Sequence, residues 1–270
     1  MQLPPPRPYP AAARLGLGDL RWWPGLALPG LDRRADVTVW LPPGYDEDTA
    51  RYPVIYLHDG ATLYDPAACV AGSTWRAHEA LAAAAAAGLP AVAVGVPCSA
   101  DGRHLEYTPF PHPALGGGRG DRYVSFLADH LKPAVDAALR TRAEARHTVV
   151  AGSSLGGVIS LHAWSTRNDV FGAAGCLSPA FWWSPEQLPP VAAALAAGQL
   201  GGRVYVDVGG REDPQDPPTQ RAYVTDTEAL VSELRRAGVP VRYLYDSTAE
   251  HHETAWAERF PAALRWLLSG

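Results

Sequence analysis

The feature that most constrains this chain is a glycine-rich turn between an apolar run and a helical pattern. Residues 148–151 read Thr-Val-Val-Ala and have the character of a strand, residues 152–156 read Gly-Ser-Ser-Leu-Gly, and residues 155–166 have helical periodicity. Of the two serines, only Ser154 has glycines two positions before and two positions after it. Such small neighbours allow a strained turn that lifts a serine hydroxyl above a strand end, at the positive end of the next helix. We therefore predict that Ser154 is a nucleophile.

Short β-branched runs alternate with helical patterns along the whole chain. Strands are predicted at 36–41, 53–57, 91–96, 148–151, 172–177, 203–208 and 240–245, and helices at 74–87, 123–140, 155–166, 190–197, 221–237 and 253–268. Strands that alternate with helices form a mostly parallel sheet with helices on both faces. The sequence thus predicts an α/β fold with a central sheet of about eight strands. A long loop is expected at 97–122.

Composition excludes several classes of protein. The 270 residues carry a formal net charge of −5, and 47% of them are apolar, which is enough for a sizeable core. The acidic balance argues against nucleic-acid binding and gives no reason to expect an anionic membrane as a partner. Cys69, Cys98 and Cys176 are far apart, so we expect neither a disulfide framework nor a thiolate metal site.

The domain organisation is predicted to be simple. No internal repeat or linker divides the chain, so we expect one domain over residues 1–270, with a Pro-rich N-terminal tail over residues 1–12. The N-terminus shows no apolar segment of the signal-peptide type, and thiols persist in reducing compartments, so a cytoplasmic location is expected. The uncharged stretch at 81–100 is interrupted by Gly88 and Pro90 and is not expected to span a membrane. Oligomeric state does not follow from the sequence.

A serine nucleophile needs a base and an acid that orients the base. In hydrolases of the α/β class these residues follow the serine in the order acid, then histidine. Only His251 and His252 come after the last predicted strand, and spacing does not choose between them. Glu212 and Asp213 lie in the loop after the strand at 203–208, and their position leaves both open.

Two backbone amides are predicted to bind the oxyanion that forms when a serine attacks a carbonyl. One is the N–H of Leu155, directly after the serine, and the other is the N–H of Ala61 in the turn after the strand at 53–57. The Gly60 amide is the next candidate. Gly60 is also expected to let the chain turn its amides toward Ser154.

Metal and nucleotide motifs are absent from the sequence. Residues 252–256 begin like the zinc motif H-E-x-x-H but have Trp256 where the second histidine should stand. No P-loop is present, and no G-x-G-x-x-G follows a predicted strand. We therefore expect no cofactor and no metal ion.

These motifs together resemble the "Putative esterase" family of the α/β-hydrolases, which includes enterochelin esterases, esterase D-like S-formylglutathione hydrolases, feruloyl esterases and mycolyltransferases. The resemblance runs from about residue 36 to residue 268, and it is carried by residues 39–45, 56–60, 103–109, the serine turn, 177–183 and 251–256. It implies the α/β-hydrolase fold. It also selects His251 over His252 as the base and Glu212 over Asp213 as the acid.

Two departures from the family pattern matter for function. Bacterial members often have Asp-Gly-Gln-Asn where residues 59–62 read Asp-Gly-Ala-Thr, so only the backbone role in the oxyanion hole is expected to carry over. The N-terminal domain that resembles carbohydrate-binding modules in enterochelin esterases has no counterpart in the sequence. A catecholate siderophore is therefore not the favoured substrate.

The sequence predicts a serine carboxylic-ester hydrolase that acts through an acyl-enzyme on a small, carbohydrate or aryl ester. Ser154, His251 and Glu212 are the expected catalytic residues. The residues expected to contact the substrate are Asp59, Gly60, Tyr107, Trp182 and Trp183. Two alternatives remain at this point: a mycolyltransferase-like enzyme that transfers the acyl group to an alcohol or sugar, and a binding protein that keeps the fold without catalysis.

Overall fold

A nine-stranded sheet runs through the protein in the computed structural model, which describes residues 1–69, 72–99 and 101–270. The strand order is β1-β2-β3-β5-β4-β8-β9-β10-β11. The strands, with a separate two-stranded ribbon β6–β7, are β1 (Arg7–Pro8), β2 (Asp19–Leu28), β3 (Arg33–Leu41), β4 (Val54–His58), β5 (Val92–Val96), β6 (Pro111–His112), β7 (Gly116–Gly117), β8 (Thr148–Ser153), β9 (Ala173–Leu177), β10 (Arg203–Arg211) and β11 (Val241–Glu250). Five of the eight pairings in the large sheet are parallel and three are antiparallel. The predicted mostly parallel sheet is confirmed, with nine strands in place of about eight.

Helices cover both faces of this sheet. Within the described ranges they are α1 (Ala12–Leu15), α2 (Ala77–Ala86), α3 (Arg103–Tyr107), α4 (Gly120–Ser125), α5 (Lys132–Ala138), α6 (Leu155–Thr166), α7 (Leu188–Ala196), α8 (Pro217–Arg236) and α9 (Glu253–Leu268). A π-helical stretch, Phe126–Leu131, joins α4 to α5. In the parts of the chain that the structure describes, no helix is both long enough and apolar enough to cross a bilayer.

An apolar core lies on each face of the sheet because successive side chains of a strand point in opposite directions. On β4, Tyr56 belongs to the core that includes α6 and α8, whereas Ile55 and Leu57 belong to the core that includes α2 and α9. The central strands are thus buried on both faces, as expected for parallel strands. This arrangement leaves the loops after the strand ends as the place for a functional site.

The chain departs from the predicted pattern mainly near its N-terminus. β2 escaped prediction because Pro24 and Gly25 interrupt its alternation, and its pairing with β3 shifts register at that point. The Pro-rich segment is packed against the sheet, since Arg7–Pro8 pairs with β2 and Trp23 Nε1 donates a 2.7 Å hydrogen bond to the Pro4 carbonyl.

Two predicted loops also contain regular structure. The loop expected at 97–122 holds α3, the β6–β7 ribbon and the start of α4, although Ala100 lies outside the described residues. The last two strands continue beyond their predicted ends, β10 as far as Arg211 and β11 as far as Glu250. These extensions bring the acid loop and the histidine pair directly to the ends of neighbouring strands.

Candidate active site

The turn between β8 and α6 is strained at Ser154. Its φ of +58° and ψ of −123° lie in a region that residues other than glycine rarely adopt. A Cβ atom on Gly152 would lie 2.9 Å from the carbonyl carbon of Gly156, so the turn requires a glycine there. The Ser154 amide donates to the Leu177 carbonyl at 2.9 Å, and the Ser154 carbonyl accepts from the Ala180 amide at 3.2 Å. The strained serine is thereby fixed to the end of β9.

His251 and Glu212 form a close pair at the ends of β11 and β10. The distance from His251 Nδ1 to Glu212 Oε2 is 2.6 Å, and the Glu212 side chain is fully buried. Burial by itself raises the pKa of Glu212, but the hydrogen bond and charge of His251, together with hydrogen bonds from Ser178 and the Gly209 amide, bring that pKa below its usual value. An ionised Glu212 can hold the Nδ1 side of the imidazole and leave Nε2 as the proton acceptor.

The competing residues at these two positions have other contacts. Asp213 Oδ1 accepts a hydrogen bond from the Asp216 amide at 3.1 Å, within the loop that leads into α8. His252 is the N-cap of α9, where its Nδ1 accepts from the Thr254 amide at 3.3 Å. Of the two acids and two histidines that spacing leaves open, the structure brings Glu212 and His251 into contact.

Tyr223 of α8 links the imidazole to the serine turn, and the sequence analysis missed it. Its ring centroid lies 5.0 Å from that of His251, and its hydroxyl faces the Ser154 side chain and the Trp182 indole. Burial raises the pKa of Tyr223 to about 12, so the phenol is a neutral donor near neutral pH. The available signal was its position early in the helix that follows the acid loop, but helical periodicity equally explains a buried tyrosine there.

The loop after β4 carries the predicted oxyanion amide, and its backbone differs from the expectation. The left-handed residue is Asp59, with φ of +54°, so the prediction that Gly60 provides the turn is wrong. Gly60 is required for space instead, because a Cβ atom there would lie 2.7 Å from the carbonyl carbon of Gly95 on β5. In the described parts of the chain, neither the Ala61 amide nor the Leu155 amide donates to a backbone carbonyl. Both N–H groups are therefore available to an oxyanion.

Arg103 holds this loop against the serine turn. Its Nε and Nη2 atoms lie 2.8 Å from the two carboxylate oxygens of Asp59, and Nη2 also donates to the Ser153 carbonyl at 3.2 Å. Burial alone raises the pKa of Asp59, but the charge and hydrogen bonds of Arg103 bring it below its usual value. Asp59 is thus occupied by Arg103, so its expected contact with substrate is replaced by a role in holding the loop.

Tyr107 supports the same loop from beneath. Its hydroxyl accepts a 2.9 Å hydrogen bond from the Asp59 amide, and its side chain is fully buried between His58 and Tyr123. A side chain with no exposed surface cannot contact a bound substrate without rearrangement. The expectation that Tyr107 touches substrate is therefore wrong, and the residue orients the backbone that precedes Ala61.

A row of aromatic rings extends from the imidazole along one side of the site. Trp182 packs edge-on against Tyr223 at 6.0 Å and lies 5.6 Å from Trp183, while Trp183 lies 6.2 Å from both His104 and His112. We call these five residues the aromatic row. Both tryptophans are half-buried, which leaves part of each indole exposed. They can present flat apolar surface to a bound molecule.

The parallel sheet and the strained serine turn at its carboxyl edge define the class of protein as an α/β-hydrolase. The same fold occurs in an IroE-like serine hydrolase from Shewanella oneidensis, with a TM-score of 0.73 and 20% identity over 89% of this chain and 78% of that one. It also occurs in the siderophore hydrolase EstA from Aspergillus nidulans, with a TM-score of 0.71 and 19% identity over 100% of this chain and 99% of that one. Within this class, the chain belongs to the esterase family described as "Putative esterase", whose sequence profile matches residues 29–267.

Similar sequences agree with that membership. The chain is 26% identical over 240 residues to the uncharacterized protein YbbA of Bacillus subtilis, covering 85% of this chain and 91% of YbbA. It is 33% identical over 147 residues to the siderophore triacetylfusarinine C esterase of Aspergillus fumigatus, covering 52% of this chain and 48% of that esterase. The protein is accordingly a carboxylic-ester hydrolase, and the predicted family and enzyme class are confirmed.

Proposed function

We propose that this protein hydrolyses a small-molecule ester through an acyl-enzyme on Ser154, with His251 as the base and Glu212 as the acid. The observation that carries the proposal is the 2.6 Å contact between His251 Nδ1 and Glu212 Oε2. Further support comes from Tyr223, which contacts the imidazole ring and faces the serine. A strained serine turn is the usual setting for such a nucleophile.

The reaction consists of two acyl transfers. In the first, the Ser154 oxygen bonds to the ester carbonyl carbon while its proton passes to His251 Nε2. The carbon–oxygen bond to the alcohol then breaks, and the imidazolium returns the proton to the departing alcohol. Water repeats the sequence on the acyl-enzyme, which releases the free acid and restores the serine. Glu212 stabilises the imidazolium in both steps.

The negative charge on the carbonyl oxygen is assigned to the amides of Ala61 and Leu155. Leu155 is the first residue of α6, so the positive end of the helix dipole reinforces its N–H. One such donor typically accelerates acyl transfer by roughly 10²–10³-fold. The contacts of Arg103 and Tyr107 with Asp59 support this assignment, because they orient the loop that contains Ala61.

The aromatic row favours an ester with an aromatic ring or another flat group. Trp182 and Trp183 provide half-buried indole faces near the imidazole, and stacking on such faces adds to the free energy of binding. The siderophore esterases among the relatives add siderophore esters to the small, carbohydrate and aryl esters already considered. Initial rates on p-nitrophenyl esters, feruloyl esters, acetylated sugars and hydroxamate and catecholate siderophores would rank these classes.

Replacement of the nucleophile is the decisive test. Ser154→Ala should abolish ester hydrolysis and labelling by a fluorophosphonate probe, while the circular dichroism spectrum stays that of the parent. Ser165→Ala is the matched control, because Ser165 also belongs to α6 but its hydroxyl donates to the His162 carbonyl. Full activity in Ser154→Ala would reject the proposal. Product analysis with added alcohols and sugars separates hydrolysis from acyl transfer, and a parent protein that the probe fails to label would favour the binding-protein alternative.

We also propose that residues 1–270 act as one domain in the cytoplasm. A single sheet carries the serine turn, the acid and the histidine, and Cys69, Cys98 and Cys176 form no disulfide. Fractionation of the source cells, with antibodies against the protein, tests the location. A single cooperative unfolding transition followed by two probes tests the domain organisation.

A further inference from the structure

A buried polar cluster adjoins Glu212 and has no part in the reaction described above. Its members come from the loop after β9, from β10 and from α9, and they are Ser178, Tyr205, Asp207, Trp256 and Arg259. Ser178, Tyr205 and Asp207 have no exposed surface, and Arg259 is 5% exposed. We call these five residues the Ser178 cluster. A buried cation and a buried carboxylate are expensive to desolvate, so their presence beside the catalytic acid requires an explanation.

The hydrogen bonds of Ser178 leave one direction for its hydroxyl proton. Ser178 Oγ accepts from Arg259 Nη2 at 2.7 Å and from Trp256 Nε1 at 3.1 Å. A serine hydroxyl has two acceptor lone pairs and one proton, so these two donors occupy both lone pairs. The proton is left free to point away from both donors, and a hydrogen bond from Ser178 is among the effects that lower the pKa of Glu212.

The backbone of Ser178 is strained and is also fixed by hydrogen bonds. Its φ of +42° lies in the left-handed region, which is unfavourable for serine. Its amide donates to Asp207 Oδ1 and to the Asp207 carbonyl, both at 3.0 Å. Asp207 is in turn held by the Tyr205 hydroxyl at 3.1 Å and by Arg259 at 3.2 Å. Strained residues persist where the surroundings dictate their conformation, and they concentrate at functional sites.

We propose that Ser178 is a positioning residue for the catalytic acid: clamped by Arg259 and Trp256, its hydroxyl donates to Glu212 and holds that carboxylate ionised and directed at His251. The inference rests on the proposed function, in which His251 and Glu212 are base and acid. Trp256 belongs to both parts of the arrangement, since its indole N–H reaches Ser178 and its ring packs edge-on against His251 at 4.9 Å.

The charges around Glu212 predict how its titration responds to changes in the cluster. The groups that face it are His251 at the end of β11, Ser178 after β9, Asp207 and the Gly209 amide on β10, and Tyr223 on α8, while Arg259 of α9 acts through Ser178 and Asp207. Loss of the Ser178 hydroxyl removes a hydrogen bond that lowers the pKa of Glu212. Burial raises the pKa of Asp207 to about 6, so Asp207 is already protonated at the lower pH where Glu212 titrates, and its replacement by Asn removes no charge there.

The test compares Ser178→Ala and Asp207→Asn with the parent protein. Ser178→Ala should move the acid limb of the pH profile of kcat/KM to higher pH by roughly half to one unit and reduce kcat about tenfold, with little change in KM. Asp207→Asn should leave the same limb in place, because Asp207 is already neutral at the pH where Glu212 titrates. Ser160→Ala is the matched control, because Ser160 is equally buried but its hydroxyl donates to the Gly156 carbonyl on α6. Ser160→Ala should leave the acid limb of the pH profile of kcat/KM unchanged.

A second readout needs no substrate. The ¹³C resonance of the Glu212 carboxyl, assigned by its loss in Glu212→Gln, is titrated in the parent and in both variants. A shift to higher pH in Ser178→Ala, with no shift in Asp207→Asn, supports the inference even if the protein hydrolyses no ester, in which case the proposed function alone fails. An unchanged Glu212 titration in Ser178→Ala overturns the inference, even if the protein is an active esterase.

A fallback variant covers a failure of Ser178→Ala to fold. Trp256→Phe removes one donor from Ser178 and keeps a ring against His251, so the serine hydroxyl gains freedom to turn away from Glu212. We expect the Glu212 titration to move to higher pH by less than in Ser178→Ala. A titration identical to that of the parent in this variant also overturns the inference.

Discussion

The His251 imidazole packs edge-on against the Trp256 indole, with ring centroids 4.9 Å apart and an interplanar angle of 89°. The ring of Tyr223 lies 5.0 Å away, and the carboxylate of Glu212 holds Nδ1. The imidazole is therefore restrained in position by two aromatic rings and in rotation by one hydrogen bond. Restraint of this kind lowers the cost of bringing a base to its nucleophile, because less conformational freedom is lost during reaction.

The two parts of Tyr223 should contribute separately to catalysis. Tyr223→Phe removes only the hydroxyl that faces Ser154, and we expect a fall in kcat/KM of about fivefold to tenfold from the loss of one polar contact. Tyr223→Leu also removes the ring beside His251 and should cost roughly tenfold more. The check is steady-state kinetics on one activated ester for both variants. Equal rates for Phe and Leu would contradict a role for the ring.

The acid can be assigned by a matched pair of amide substitutions. Glu212→Gln keeps the shape of the side chain but removes the charge opposite His251, and we expect kcat to fall by about 10³–10⁴-fold. Asp213→Asn, one residue away in the same loop, should change kcat less than about threefold because the carboxylate of Asp213 accepts from the Asp216 amide, within the loop that leads into α8. The reverse ranking of the two variants would assign the acid to Asp213.

Local features of this site could be predicted from the sequence, whereas features made by distant segments could not. Ser154 is recognisable because its strand, turn and helix are contiguous, and the steric need for Gly152 arises within the same turn, from the backbone of Gly156. The choice of His251 over His252 needed the family resemblance. Both histidines follow the same strand, and only the packing of β10 against β11 determines which of them meets the acid.

Buried supporting residues were beyond sequence reasoning for a related reason. Tyr107 lies within the predicted loop at 97–122 and is expected to contact substrate, yet the chain folds it beneath Asp59. Ser178 and Arg259 are 81 positions apart and meet only when α9 packs on the sheet. Neither residue belongs to a local pattern that indicates its partner, so their contact becomes visible only in three dimensions.

The loop after β4 should tolerate removal of the Ala61 side chain but not addition of a side chain at Gly60. Gly60→Ala places a methyl group about 2.7 Å from the Gly95 carbonyl carbon, so the loop must move and kcat/KM should fall by roughly 10²-fold or more. Ala61→Gly keeps the N–H that is assigned to the oxyanion, and its rate should stay within about threefold of the parent. A crystal structure of Gly60→Ala with an unmoved loop and low activity would contradict this explanation.

The aromatic row should affect substrate binding more than chemistry. Trp183→Ala removes an indole that contacts His104, His112 and Trp182, so KM for an aryl ester should rise about tenfold while kcat changes little. A wholly aliphatic ester such as ethyl acetate, which has no aromatic ring, should show a smaller change in KM. Equal effects on every ester, together with a lower thermal midpoint, would indicate that the indole only packs against its neighbours.

Asp207 should give the fold a pH dependence opposite to that of an ordinary ion pair. Burial raises the pKa of Asp207 to about 6, against the opposing effects of Arg259, the Ser178 amide and the Tyr205 hydroxyl. Between about pH 4 and pH 6 the folded chain therefore holds a proton that the unfolded chain has lost. The contribution of this group to the free energy of unfolding accordingly falls as pH rises through that window, by about 3 kcal/mol in total.

Urea unfolding of the parent and of Asp207→Asn at pH values between 4 and 8 isolates this contribution. The parent should lose stability relative to the variant as pH rises from 4 to 6, and the difference should be constant above that range. Asp169→Asn is a surface comparison: the hydrogen bond from Arg167 lowers the pKa of Asp169, so its contribution is lost only as pH falls below about 4, and the difference between that variant and the parent should be nearly constant between pH 5 and pH 8. Stability of the parent that rises relative to Asp207→Asn between pH 4 and pH 6 would mean that Arg259 outweighs burial, and that the carboxylate beside the catalytic acid stays charged throughout.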